Sequence, residues 1–268
     1  MAVEAVQHVR RMRGGAQAHL MRATDGEYYV VKFQNNPQHL RVLANDMLAS
    51  RLAELIGLPV PATEIVEVGT WLVDHTPELS IELPHGVKSC VPGRQFGSRY
   101  VVPPAEGIVY DYLPENLMER VRNLDAFAGA LVLDKWTCNA DGRQAAFWRK
   151  RRERKWTASF IDQGYCFNAG EWSFPDSPLR GVYGRNLVYQ GVTGWNSFEP
   201  WLSRLQTLDP QAMWRCAEAV PPEWYGETCE MERLIERLLD RRSMVHRLIL
   251  EFRDSSRQPF PNWVDTVN

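Results

Sequence analysis

The chain has 268 residues, with 31 Lys and Arg against 33 Asp and Glu, a net charge of −2 and 44% hydrophobic residues. That length suits one large or two small domains at roughly 150 residues each, enough to bury a core, and the near-neutral charge argues against binding nucleic acid by bulk electrostatics. The five cysteines include no CxxC pair, so neither a disulfide framework nor a zinc ribbon is expected. The start, MAVEAVQHVRRMRGG, has no apolar stretch of the signal-peptide kind. No apolar run approaches the roughly 20 residues that span a bilayer. The expectation is a soluble, cytoplasmic protein.

The elements begin at Ala18. Ala18–Arg22 and Glu27–Phe33 read as strands around a Thr24-Asp25-Gly26 turn. Leu40, Leu43, Met47, Leu52, Leu55 and Ile56 then recur at helical spacing, and Gly57 and Pro59 stop that helix. Pro61–Val68 and Trp71–Asp74 read as two further strands, and the Pro- and Gly-rich stretch 75–115 as one more, Gly93–Val102, followed by a crossover. Leu117 to Leu133 suits one or two helices, and Ala145–Trp148 with Thr157–Ile161 a hairpin. Between its strands, Arg149–Lys155 holds six basic residues and one acid, read as a solvated tip or a docking patch for an acidic partner. The end is helical: Phe198–Leu208, Pro210–Ala219, and a long helix carrying Met231, Leu234, Leu238, Val245, Leu248, Ile249 and Phe252. The six histidines are too scattered to make a metal site. The chain divides into a mixed N-terminal lobe over residues 1–100 and a mostly helical C-terminal lobe over 101–268.

Four local features could handle a nucleotide. Arg13-Gly14-Gly15-Ala16-Gln17 stands before a strand, where glycines either turn the chain or let backbone N–H groups cradle phosphate. It is not a Walker A loop, since no GxxxxGK[ST] is present. Lys32 ends the apolar run Tyr29-Val30-Val31, where lysine is rare without a partner. It faces water from an edge strand, or sits over phosphates, oriented by Asp46 on the next helix. Asn139-Ala140-Asp141-Gly142-Arg143-Gln144 gathers oxygen and amide groups in a loop entering a strand. That suits a hard cation and a substrate hydroxyl, or a plain Asn/Asp/Gly turn. Asp162, before Gln163-Gly164, ends an apolar strand, either as a turn residue or as a carboxylate for Mg²⁺.

In that order these motifs resemble the protein-kinase-like superfamily, and most closely the HipA-like kinases with their phosphatidylinositol-kinase-like relatives. The likeness runs from Gly14 to Gly164 and takes in Leu43-Ala44-Asn45-Asp46 and Asp134-Lys135-Trp136. It implies an α+β, bilobal protein-kinase-like fold, with a small mixed β-sheet N-lobe and a mostly helical C-lobe. It further implies transfer of the γ-phosphoryl of ATP, with Mg²⁺, to a hydroxyl acceptor, by default protein Ser/Thr and otherwise a lipid or small molecule. Asp141 would then be the catalytic aspartate and Asp162 the carboxylate on Mg²⁺. Lys32, positioned by Asp46, would bind phosphates beneath Gly14, Gly15, Ala16 and Gln17. Gly93–Arg99 falls where the lobes should join, so Phe96 and Ser98 are expected at the nucleotide and Arg99 at an anionic group. The sequence departs from the family in having Asp46 where Glu is usual, in lacking the loop histidine, and in carrying Ala146 where a metal-binding Asn is usual. Gln144 or Asn139 would supply the second metal ligand. These departures leave two other readings, a nucleotide-binding module without transfer activity and a transferase of AMP.

Overall fold

The computed structural model describes residues 3–264. Its first element, β1 (Val3–Arg11), pairs with β2 (His19–Ala23), and β2 with β3 (Tyr28–Lys32). After α1 (Val42–Leu55) and β4 (Thr63–Val68), the chain makes a short helix α2 (Thr70–Asp74) and a hairpin, β5 (Ser80–Leu83) and β6 (Gly86–Ser89). Strand β7 (Gly93–Arg99) then inserts between β3 and β4, and β4 runs parallel to β1, closing a five-stranded barrel.

Alternation across a strand sorts the side chains of β3. Tyr29 and Val31 enter the barrel core with Met21, Val66 and Val68, while Val30 and Lys32 face the other way. On β7, a Cβ at Gly97 would lie 2.3 Å from the Val66 side chain, so the barrel closes only around a residue without one.

Residues 100–106 connect the barrel to a second sheet, made of β8 (Gly107–Tyr110), β9 (Gln144–Lys150) and β10 (Thr157–Ile161) in the order β10-β9-β8. Between β8 and β9 lie α3 (Glu115–Met118) and α4 (Ala126–Thr137), the latter buried along its whole length. The C-terminal helices α5 (Trp201–Gln206), α6 (Pro210–Glu218), α7 (Thr228–Arg241) and α8 (Val245–Arg253) complete the lobe. Helix α1 belongs to this second core rather than to the barrel's: Val42, Met47 and Leu52 share one apolar cluster with Phe127 and Leu131 of α4. A helix apolar on most sides is one that is packed on most sides. Among the described residues no helix is long and apolar enough to cross a membrane.

Four expectations need correction. The sequence shows no strand before Ala18 because β1 carries irregularities between Ala5 and Gln7 and between His8 and Arg10. Such bulges break the two-residue alternation that reveals a strand. Trp71–Asp74 is a helical turn, with the Trp71 ring stacked on that of His75 one turn later, centroids 4.6 Å apart. The Pro- and Gly-rich stretch holds the β5–β6 hairpin and, further on, β8. The long C-terminal helix is two, parted by a tight turn at Arg242–Met244 where Arg242 donates to the carbonyls of Leu239 (3.0 Å) and Leu208 (2.8 Å).

Packing in the second core is tight at Gly129 of α4, where a Cβ would come within 2.4 Å of the Trp201 ring. Gly129→Ala is therefore expected to lower stability by about 1–3 kcal/mol, although alanine is the better helix former. Urea unfolding checks this. Gly191→Ala, with nothing within 4 Å of its Cβ, serves as the control and should change little.

Candidate active site

A cavity of about 510 Å³ opens between the barrel and the second sheet. Gly14, Gly15 and Ala16 form one wall, Val30 and Lys32 of β3 and Phe96 and Ser98 of β7 another. Asp141, Gln144, Ala146 and Asp162 approach from the second sheet, and Asp46 from α1.

At its floor lies a buried ammonium. Lys32 is 6% exposed, and its Nζ donates to Asp46 Oδ2 at 2.6 Å and to Asp162 Oδ1 at 2.8 Å. The remaining carboxylate oxygens are also satisfied. Asp46 Oδ1 accepts from the Gln163 backbone N–H at 2.8 Å and Asp162 Oδ2 from the Gln144 amide at 3.0 Å. Burial opposes the charge on Lys32, but Asp162 and Asp46 outweigh it and hold the lysine pKa above its usual value. Burial pushes Asp46 up to about 6 in spite of Lys32. At Asp162 burial acts in the same sense, yet Lys32 prevails and keeps the carboxyl below its ordinary range.

Local structure explains how these groups meet. In the β9–β10 ladder Ile161 stands opposite Gln144, so the residue after Ile161 emerges beside the Gln144 side chain. Asp162 has φ +59°, a left-handed conformation that Asp tolerates better than most residues, and the chain turns away behind its carboxylate. Asn45 of α1 clamps the turn that follows. Its fully buried amide reaches the carbonyls of Gly164 (2.9 Å), Cys166 (2.9 Å) and Ala169 (2.7 Å), and its oxygen accepts from the Trp172 indole at 2.8 Å.

Most of the residues singled out in the sequence come together here, and two do not. Gln17 turns outward, its amide bonded to the Glu82 backbone (2.7 Å each way) and to Arg11. Asn139, 1% exposed, donates to Asp134 Oδ1 at 2.9 Å and accepts from the Asp141 N–H at 3.2 Å, so it backs the loop instead of lining the cavity. Asp141 itself is exposed at the cavity, one Oδ accepting from the Gly142 N–H at 2.8 Å. Gly93–Arg99 is a barrel strand and not the junction of the lobes, which begins at Tyr100. Arg99 lines the cavity but is paired with Glu27. The basic segment is the β9–β10 tip, with Arg149 laid over the Trp156 ring at 4.9 Å and Lys150, Arg152, Arg154 and Lys155 exposed.

Several lining residues escaped the sequence reading, Asp111, Ser50 and Gln38 among them. Gln38, in the β3–α1 connection, faces the cavity beside Gly15, and its buried amide oxygen has no partner. No motif marks it. Only the return of that connection beneath the glycine loop brings it there.

The donor set can be matched to a ligand. Among the described residues no group of three His, Cys, Asp or Glu side chains is placed to hold a metal ion by itself. Asp162, a single carboxylate beside the Gln144 amide oxygen, could instead hold a Mg²⁺ that keeps waters and shares phosphate oxygens. The ammonium and the backbone N–H groups of the glycine loop could take the phosphates themselves; the orphaned Gln38 oxygen needs a donor instead.

Because Lys32 lowers the pKa of both neighbouring carboxyls, Lys32→Met should leave two adjacent carboxyls without their cation and cost about 3–5 kcal/mol at neutral pH. Without the cation both carboxyls titrate above their unfolded values. The variant then binds extra protons when folded, and its deficit narrows as the pH falls. Urea titrations of both proteins at pH 5 and pH 8 measure this, and an equal deficit at both would contradict the assignment.

Comparison with known proteins follows the geometry. Residues 5–149 match the family described as HipA-like kinase. Among solved structures, the Helicobacter pylori proinflammatory kinase CtkA superposes with a TM-score of 0.61 at 13% identity, covering 96% of this chain and 100% of that one. Fam20 of hydra gives 0.54 at 10% identity, over 99% and 90% of the two chains. The Golgi casein kinase gives 0.51 at 12% identity, over 95% and 74%. At such identities the likeness is one of fold. Among curated proteins none matches the sequence.

Proposed function

Given that the chain belongs to the HipA-like kinase family, we propose that it moves the γ-phosphoryl of ATP to a hydroxyl acceptor, with protein Ser/Thr as the first acceptor to test. One observation carries this reading: Lys32, Asp46 and Asp162, from a barrel strand, a helix and a loop of the second sheet, converge in one cavity with the glycine loop and Asp141. Phosphoryl transfer asks little covalent chemistry of a protein and much positioning and charge neutralisation.

The division of labour follows from where each group stands. Lys32 would hold phosphate oxygens under Gly14, Gly15 and Ala16, with Asp46 orienting its ammonium. Asp162 and Gln144 would hold Mg²⁺, which when bound supplies charge neutralisation on the phosphates. Asp141, exposed at the mouth, would orient the acceptor hydroxyl and accept its proton. Phe96, Ala146 and Phe160 supply apolar surface for a base. Expected partners are ATP and an acceptor protein or small molecule, in the cytoplasm, without membrane or nucleic acid.

A second reading has its own support. Ala146 lines the cavity where a second metal-binding side chain would stand, which suits a module that binds nucleotide without transferring from it.

Thermal unfolding with and without Mg-ATP separates the roles. Ligand at about 100 times its Kd adds roughly 2.7 kcal/mol, a rise of a few degrees for a chain of this length. Asp162→Ala should abolish the rise. Asp141→Ala should keep it while losing transfer from γ-labelled ATP. Binding without γ-transfer in the wild type would favour the second reading, label from the α position alone would indicate AMP transfer, and no rise at millimolar Mg-ATP would refute both nucleotide readings.

A further inference from the structure

Behind Asp141 and Asp162 lies an ion pair that touches neither the cavity nor the groups given roles above. Asp134, in the last turn of α4, and Arg143, one residue before β9, have side chains 1% and 0% exposed. Arg143 Nε donates to the two Asp134 oxygens at 3.0 and 3.1 Å, and its Nη2 donates to Oδ1 as well. A charge so fully removed from water persists only with a complete set of partners.

The guanidinium has donors beyond those that Asp134 takes. Its Nη1 donates to the Ile161 carbonyl at 3.2 Å and to the Gln163 side-chain oxygen. Ile161 and Gln163 are the residues on either side of Asp162. On the opposite flank, Asp134 Oδ1 accepts from Asn139 Nδ2 at 2.9 Å, and Asn139 Oδ1 accepts from the Asp141 N–H at 3.2 Å. One chain of hydrogen bonds therefore runs from Asp141 through Asn139, Asp134 and Arg143 to both neighbours of Asp162.

We infer that Arg143, with Asp134, is a positioning residue that sets the Asp141 and Asp162 loops at a fixed distance from each other; its effect on turnover rests on the kinase reading above. The rigid fork of arginine suits this task. It reaches a carboxylate on one edge and two oxygens on another, whereas lysine offers one compact charge. The ladder alone would not suffice, because Ile161 and Gln144 are where the β9–β10 pairing ends and both carboxylates lie beyond it.

A merely structural ion pair makes a different prediction, since replacing a whole buried pair by neutral groups is often tolerated. The variant to make is Arg143→Met with Asp134→Asn, which removes both charges and keeps an acceptor for Asn139. Two measurements are taken on the full chain. Hydrogen exchange follows the amides of Asn139, Arg143 and Gln163, bonded to the Asp134 carbonyl, the Val182 carbonyl and Asp46 Oδ1 respectively. Turnover is followed as ADP formed from Mg-ATP with water taking the γ-phosphoryl, which requires no identified acceptor.

The inference expects a folded double variant whose loop amides exchange at least about tenfold faster while those of α1 are unchanged. It also expects kcat to fall at least about tenfold with the nucleotide KM changed by less than about threefold. Arg143→Lys, which keeps a cation beside Asp134, should stay folded without recovering kcat. Should the double variant not fold, the lysine variant decides by the same two measurements. Unchanged loop exchange together with full turnover, or full rescue by lysine, overturns the inference. If the wild type hydrolyses no ATP in the absence of an acceptor, kcat carries no weight, the kinase reading is left to the γ-label assay, and exchange in the two loops alone decides whether Arg143 couples them.

Discussion

A lysine ammonium held out of water between two carboxylates is the constraint on which the rest of this protein depends. Lys32 is charged in the folded state only because Asp46 and Asp162 stand within 2.8 Å of it, and neither of those is near it in sequence. The barrel, α1 and the second sheet must all be formed and docked before the three meet. Docking and the assembly of the site are thus one event. An error in either leaves a buried charge uncompensated, which costs several kcal/mol in a molecule whose whole stability is about 5–15 kcal/mol.

Helix α1 makes that docking reproducible. It is connected in sequence to the barrel, but its apolar side chains complete the core of the other lobe. It presents Asp46 to Lys32 on one side, while the adjacent Asn45 holds three carbonyls of the chain that follows Asp162. Two consecutive polar residues on a buried helix thereby fix the distance between Lys32 and Asp162. The short side chain of Asp46 suffices because α1 lies close enough for a 2.6 Å contact.

The parts of the fold that obey a simple period were legible in advance. The α1 stripe and the β9–β10 hairpin each follow one periodicity and appear where expected, and β3 lies within the expected strand Glu27–Phe33. Elements whose pattern is set by something other than burial were not. Strand β1 bulges in two places and exposes most of its side chains, the Trp71 turn is closed by the His75 ring stack and by hydrogen bonds from His75 to the Trp71 carbonyl, and Arg242, at the break between α7 and α8, caps a carbonyl of α7 and another across the lobe. In the site, Lys32, Asp46, Asp141, Gln144 and Asp162 were visible as polar residues in apolar or strand-end settings. Gln38 and the role of Arg143 were not, since no motif marks Gln38 and the partners of Arg143, although it stands in the Asn139–Gln144 motif, include residues distant in the chain.

The sequence by itself determined the order of the motifs, the near-neutral charge and the residue types that the chemistry needs, because these are properties of the chain read in one dimension. The lysine's rarity in an apolar strand raised a carboxylate partner as one of two readings, beside an edge strand facing water. Which carboxylates partner it, that Gln17 turns outward, that Asn139 supports the loop from behind and that Arg143 joins the two loops were decided only by tertiary structure. Hydrogen bonds and ion pairs act over about 3 Å, and distances that short between residues up to 130 positions apart exist only once the two cores have packed.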